Sequence, residues 1–208
     1  MKRQFAAALV LAVMAAVTLG AQGAPAGWKQ RIDASTDASD PDPAGDVKFV
    51  SMGGGFHTAN PKAAIFWNPS NTVAGTYTLK ATFAQNARSS HPNYLGLIFG
   101  GKDLAGAAQS YTYFTVAQNG MFLIKQRTGD QTKDVHRGAH DSVVKISADN
   151  KASNTLEVRV GSDKIDYVVN GAVVHSTPKA GVTTDGIYGM RVNHALPDVM
   201  ITGLAAAK

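Results

Sequence analysis

The chain has 208 residues, with 20 lysines and arginines against 15 acidic residues and no cysteine. The missing cysteine excludes thiol catalysis, thiolate-bound metal, a disulfide framework and a lipid-attachment site. The cations are scattered singly rather than gathered into a stripe or cluster, which argues against nucleic acid as a partner.

The chain opens Met1-Lys2-Arg3-Gln4, a short positive segment, and continues with the small and apolar run Phe5–Val17, 13 residues long. That run is shorter than the roughly 20 apolar residues a membrane-spanning helix needs, and with the small residues that follow it has the three-part pattern of a secretory signal. Residues 1–26 are therefore expected to be a cleavable signal peptide. Cleavage points after Gly23 and after Ala26 both fit the small-x-small rule. Only one arginine of a twin-arginine start is present, so the general secretory route is favoured. Residues 27–208 then form a single domain, secreted or periplasmic and without a membrane span. Losing Lys2 and Arg3 leaves 18 basic against 15 acidic side chains, a mild surplus. A chain of this size buries about 70% of its extended surface and needs no staples.

Residues 33–46 hold Asp33, Asp37, Asp40, Asp42 and Asp46 around an Asp-Pro-Asp-Pro core that can be neither helix nor central strand. Their spacing is not that of a known calcium loop, and the segment reads as a solvated loop. Gly53-Gly54-Gly55 leads into Phe56-His57-Thr58, which reads as a strand, so no helix N-terminus is there to hold phosphate. From Gly75 onward the pattern has period two: Tyr77, Leu79, Ala81 and Phe83 share one face, Thr76, Thr78, Lys80 and Thr82 the other. Residues 94–100, 110–117, 121–128 and 142–147 read as strands. So do 155–160, 164–169, 172–176, 186–192 and 198–204. Asn119-Gly120 and Asn170-Gly171 predict tight two-residue hairpins, because such turns require positive φ angles. Many short strands separated by turn signals indicate an all-β fold, a sandwich of two antiparallel sheets, with a closed barrel as the alternative.

The residues restrict chemistry severely. Glu157 is the only glutamate of the chain, and it lies on the polar face of a strand beside Arg159, where it reads as a solvated surface residue. A retaining glycosidase that uses two carboxyl groups would have to build the pair from aspartates. Zinc-protease, nucleophile-elbow, phosphate-loop and dinucleotide motifs are all missing, and no cofactor is expected. His136 and His140, with Asp134 and Asp141 nearby, offer metal-type donors. The i, i+4 spacing converges only on a helix, and Gly138 disfavours one. This stretch reads as a polar loop, with ligand contact or metal binding as alternatives.

The segments Asn93–Lys102, Ser110–Arg127, Asn154–Val160, Val168–Gly171 and Asp185–His194 together resemble the concanavalin A-like lectin/glucanase superfamily. Within it they look closest to laminin-G-like domains and to the 3-keto-disaccharide hydrolase domains of exported bacterial proteins. The resemblance implies a jelly roll of two antiparallel sheets, one concave, with sugar held on that face or its rim. The Glu-x-Asp-x-x-Glu strand of laminarinase-type relatives is missing, which leaves a glycan- or glycoconjugate-binding domain, a sugar-processing domain without a glutamate pair, and a structural envelope protein. Aromatic rings stack on sugars while Arg, Asn and His orient them by hydrogen bonds. On that ground the candidate ligand-binding residues are Tyr111, Tyr113, Lys125, Arg127, Arg191, Asn193 and His194. Catalytic residues are not assigned and no metal site is expected.

Overall fold

The computed structural model describes residues 24–33, 42–89, 92–194 and 198–208. The described residues contain fourteen strands and no helix. They are β1 (Lys29–Ile32), β2 (Lys48–Met52), β3 (Gly55–Ala59), β4 (Ala64–Val73), β5 (Tyr77–Gln85), β6 (Tyr94–Lys102) and β7 (Ser110–Ala117). There follow β8 (Met121–Thr128), β9 (Gln131–Ala139), β10 (Ala152–Val160), β11 (Lys164–Val169), β12 (Ala172–Pro178), β13 (Gly186–Val192) and β14 (Val199–Ala207). Two seven-stranded sheets result, ordered β1-β4-β13-β6-β7-β8-β9 and β12-β11-β10-β5-β14-β3-β2, with every pairing antiparallel. The signal segment falls almost wholly outside the described residues, as do residues 34–41.

Alternation builds the core. Leu79, Ala81 and Phe83 of β5 and Leu156, Val158 and Val160 of β10 point inward from the second sheet. They meet Phe66, Leu97, Phe99, Phe114, Phe122, Ile124 and Met190 of the first. Each large apolar side chain so enclosed contributes about 1.5–3 kcal/mol relative to exposure. Trp28, just before β1, closes one flank by packing on Phe49 and Phe56 with ring centroids 5.6 and 4.4 Å away.

The two hairpins join the expected strands, but by different turns. Asn170 and Gly171 both have positive φ (50° and 88°) and Val169 pairs with Ala172, the two-residue turn that Asn-Gly predicts. At the other hairpin only Gly120 is left-handed (φ 90°), its N–H donating to Ala117 O, so the connection is the three-residue loop 118–120. Residues 142–147 are not a strand. Asn154 of β10 takes the place of a neighbouring strand there, accepting from Val144 N at 2.8 Å and donating to Val144 O at 3.1 Å. Residues 134–139, read as part of a polar loop, belong to the edge strand β9.

The first sheet is lined on both faces. Its outward side carries a second buried cluster of Ile65, Trp67, Ile98, Tyr111, Tyr113 and Leu123 beneath Leu104, and polar side chains are sunk among them. An outward sheet face that is both apolar and buried is unusual for an antiparallel sandwich, whose second face normally reads as polar.

Candidate functional site

Register places the outward residues of the first sheet in rows. Arg31 (β1) pairs with Ile65 (β4), Ile65 with Arg191 (β13), and Arg191 with Gly96 (β6). The row continues through Thr115 (β7) and Leu123 (β8) to Arg137 (β9). The neighbouring row runs Lys29, Trp67, Gly189, Ile98, Tyr113, Lys125 and Asp134. Gly96 and Gly189 stand in the middle of these rows. A Cβ on either would come within 2.1 Å of Phe114 O or 2.2 Å of Phe66 O, so these positions are closed to larger residues.

Asp33, one residue beyond β1, organises one end of the face. Its carboxylate accepts from Arg191 Nη1 at 2.6 Å, from the Tyr111 hydroxyl and from Gln109 Nε2 at 3.3 Å. Arg31 Nε and Arg127 Nε each stand 3.6 Å from it. Arg191 Nη1 also donates to the Tyr111 oxygen at 2.7 Å, and its guanidinium lies over the Tyr113 ring, 4.7 Å from the centroid. Burial pushes the Asp33 carboxyl up, but Arg191, the Tyr111 hydroxyl and Arg127 outweigh it and hold it below the ordinary carboxylate range. Burial and the Asp33 charge push the Tyr111 phenol well up against the opposing arginines, so it stays protonated and serves as a donor.

Four buried polar atoms of this face and its Asp33 network have no hydrogen-bond partner among the described residues: Arg191 Nε, Thr115 Oγ1, Asn193 Oδ1 and Gln109 Oε1; Asn93 Oδ1 and Nδ2, just before β6, lack one as well. Asn193 continues the outward side of β13 just past its end, its N–H donating to Tyr94 O at 2.9 Å. Orphaned buried polar atoms are uncommon because each forfeits hydration without replacement. Their convergence marks the face as built to receive hydrogen-bonding groups. A shallow hollow of about 650 Å³ lies elsewhere, near Thr72, Lys102, Asp185 and Tyr188, and none of its lining residues carries such an atom.

Of the seven residues singled out from sequence, Tyr111, Tyr113, Lys125, Arg127 and Arg191 lie together on this face, with Asn193 at its end. His194 departs from the β13 line, with φ 49° and its Nε2 2.6 Å from Asp42 Oδ1. The tyrosines are 2% and 4% exposed, so they form the floor beneath Arg191 rather than open stacking rings. Lys125 is held by Asp134 at 2.9 Å. Asp33 corrects the solvated-loop reading at its first residue: it is 4% exposed and fully engaged. His136 stacks on His175 with ring centroids 3.7 Å apart, and His140 Nδ1 accepts from Ser142 N, so the two histidines do not converge. Glu157 is ion-paired with Arg159 and Lys80 on the far sheet. Sequence reasoning missed Asp33, Arg31, Gln109 and Thr115. Only the alternation of Thr115 with Phe114 and Val116 could have flagged one of them.

No protein-family model matches the chain, and no curated protein matches it either. Solved structures do. The carbohydrate-binding module CBM66 from Bacillus subtilis superposes with a TM-score of 0.64 at 10% identity, covering 88% of this chain and 96% of that one. A Bacillus subtilis protein with a galectin-like fold gives 0.56 at 11% identity, with 86% and 88% covered. The Ca2+-bound exoplasmic/lumenal domain of VIP36 gives 0.53 at 10% identity, with 90% and 89% covered. At such identities the likeness concerns architecture alone, and it establishes that the chain folds as a jelly-roll sandwich of the lectin type.

Proposed function

We propose that the chain is an exported glycan-binding protein whose ligand sits on the outward face of the first sheet, around Arg191, Thr115, Asn193 and the Tyr113 floor. The observation that carries this reading is the set of partnerless buried polar atoms on one face, among them Arg191 Nε, Thr115 Oγ1 and Asn193 Oδ1. Donors and an acceptor there suit a ligand rich in hydroxyls, and an apolar floor suits the C–H faces of a sugar. Three lectin-fold neighbours support it: one is a carbohydrate-binding module, one has a galectin-like fold, and VIP36 has also been solved with Ca2+ and mannose. Export rests on the pattern of residues 1–26. The laminin-G and 3-keto-disaccharide resemblances remain finer assignments within the same superfamily.

A glycan array probed with the exported protein tests the reading. At least one glycan should be retained, and Tyr113→Phe, which keeps the floor, should retain it too. Arg191→Lys should lose it. An array with no retained glycan refutes the proposal. Product release from unmodified or 3-keto disaccharides, abolished by His194→Ala, would replace it with a catalytic reading.

A further inference from the structure

We infer that the glycan is acidic, a uronate-type saccharide whose carboxylate docks on Arg191; this rests on the glycan-binding reading above. The first support is charge. Among the described residues, six cations, Lys29, Arg31, Lys125, Arg127, Arg137 and Arg191, share the face with two carboxylates, Asp33 and Asp134. Asp134 is taken by Lys125 and Arg137, at 2.9 and 3.7 Å. Asp33 alone faces three guanidiniums, and the side chains of Arg127 and Arg191 are only 9% and 6% exposed. A network that served packing alone would neutralise its buried charge, because uncompensated charge in low dielectric is costly. The surplus of positive charge favours an anion from solution.

The second support is the shape of the vacant donors. Asp33 and Tyr111 both use Nη1 of Arg191, while Nε, on a different edge of the planar fork, has no acceptor. A guanidinium edge pairs side-on with the two oxygens of a carboxylate, and the sulfated polymer in the test below separates a carboxylate from a sulfate ester. The third support separates a sugar acid from a simple anion. Asn193 Oδ1 is a buried acceptor, and a simple anion such as sulfate or chloride has no proton to give it. A saccharide hydroxyl does. Arg191 and Asn193 lie on the same side of one nearly extended segment, roughly 7 Å apart by strand geometry, a separation one substituted sugar ring spans. Thr115 Oγ1, on the strand beyond Gly96, adds a hydroxyl donor to the same anion.

The test is affinity electrophoresis of the exported protein through gels holding polygalacturonate, the same polymer with its carboxyls reduced, neutral galactan, or sulfated galactan. Polygalacturonate should retard the protein, with affinity at least tenfold above the reduced polymer and falling at least tenfold between 50 and 500 mM NaCl. Arg191→Lys should weaken binding at least tenfold, and Thr115→Val several-fold. Thr115→Val breaks no bond within the protein, so its melting temperature should hold or rise, which keeps the test valid if Arg191→Lys fails to fold. Equal or tighter binding of neutral galactan overturns the acidic assignment while leaving the glycan reading intact. Preference for the sulfated polymer overturns the carboxylate. Polygalacturonate binding unchanged in both variants removes it from this face, and the absence of any retardation counts against both readings.

Discussion

At the scale of single residues, Asp33 and Asp134 are the same side chain in opposite circumstances. Asp33 is enclosed by arginines, and removing its charge leaves buried guanidiniums without a counter-ion. Asp33→Asn should destabilise the protein by about 3–5 kcal/mol in chemical denaturation. Asp134 sits half-exposed at the edge, and Asp134→Asn should cost no more than about 1 kcal/mol. The pH dependence follows from the lowered Asp33 pKa. Its contribution to stability is complete above the unfolded carboxylate value, near 4, and is lost as pH falls through the lower folded value. Gly171 offers a cleaner backbone test. Nothing lies within 4 Å of a Cβ added there, and φ is +88°, so Gly171→Val introduces strain without a clash. A loss of roughly 1–3 kcal/mol is expected, and an unchanged denaturation midpoint would count against the turn.

At the scale of strands, the two sheets meet along one flank through β9 and β12, where Phe122, His136, His175 and Tyr167 form a column of rings. Burial, and then the neighbouring His136, hold the His175 pKa below the ordinary imidazole value, so the fold favours its neutral form. That contribution is present above the unfolded value of about 6.5 and lost as pH falls through the folded one. The melting temperature should therefore drop between pH 7.5 and 5, well before Asp33 titrates. His175→Phe, which keeps a ring in the column and cannot be protonated, should flatten that drop; an undiminished slope would place its cause elsewhere. The same strands show what a sequence conceals. Hairpin β7–β8 was legible because the Asn119-Gly120 turn is a local signal. β9 was not, since an edge strand exposed along most of one side carries polar residues at nearly every position. Residues 142–147 misled through their β-branched run, when Asn154 supplies the bonds a neighbouring strand would have made.

At the scale of the whole molecule, the candidate site joins parts of the chain that only the finished sandwich brings together. Tyr111 and Arg191 stand 78 and 158 residues from Asp33, so composition and spacing gave no hint of its role. That Tyr111 and Tyr113 share one face of their strand could be read from period two alone. The same topology constrains export. β1 is the edge strand of the first sheet, and the segment around it contributes Trp28 to the core, Arg31 to the cationic face and Asp33 to the network. Under the proposed export, processing is expected to stop before Trp28. Cleavage after Gly23 keeps the Pro25 carbonyl that accepts from Trp28 N at 2.9 Å, whereas cleavage after Ala26 removes it; either leaves the sandwich and the site whole. Intact-mass measurement of protein recovered outside the cytoplasm should give a chain beginning at Ala24 or Gly27. An intact Met1 on the exported form would refute cleavage. A chain beginning after Asp33 would lack the ion that holds Arg191, and glycan retained by such a form would refute the placement of the site.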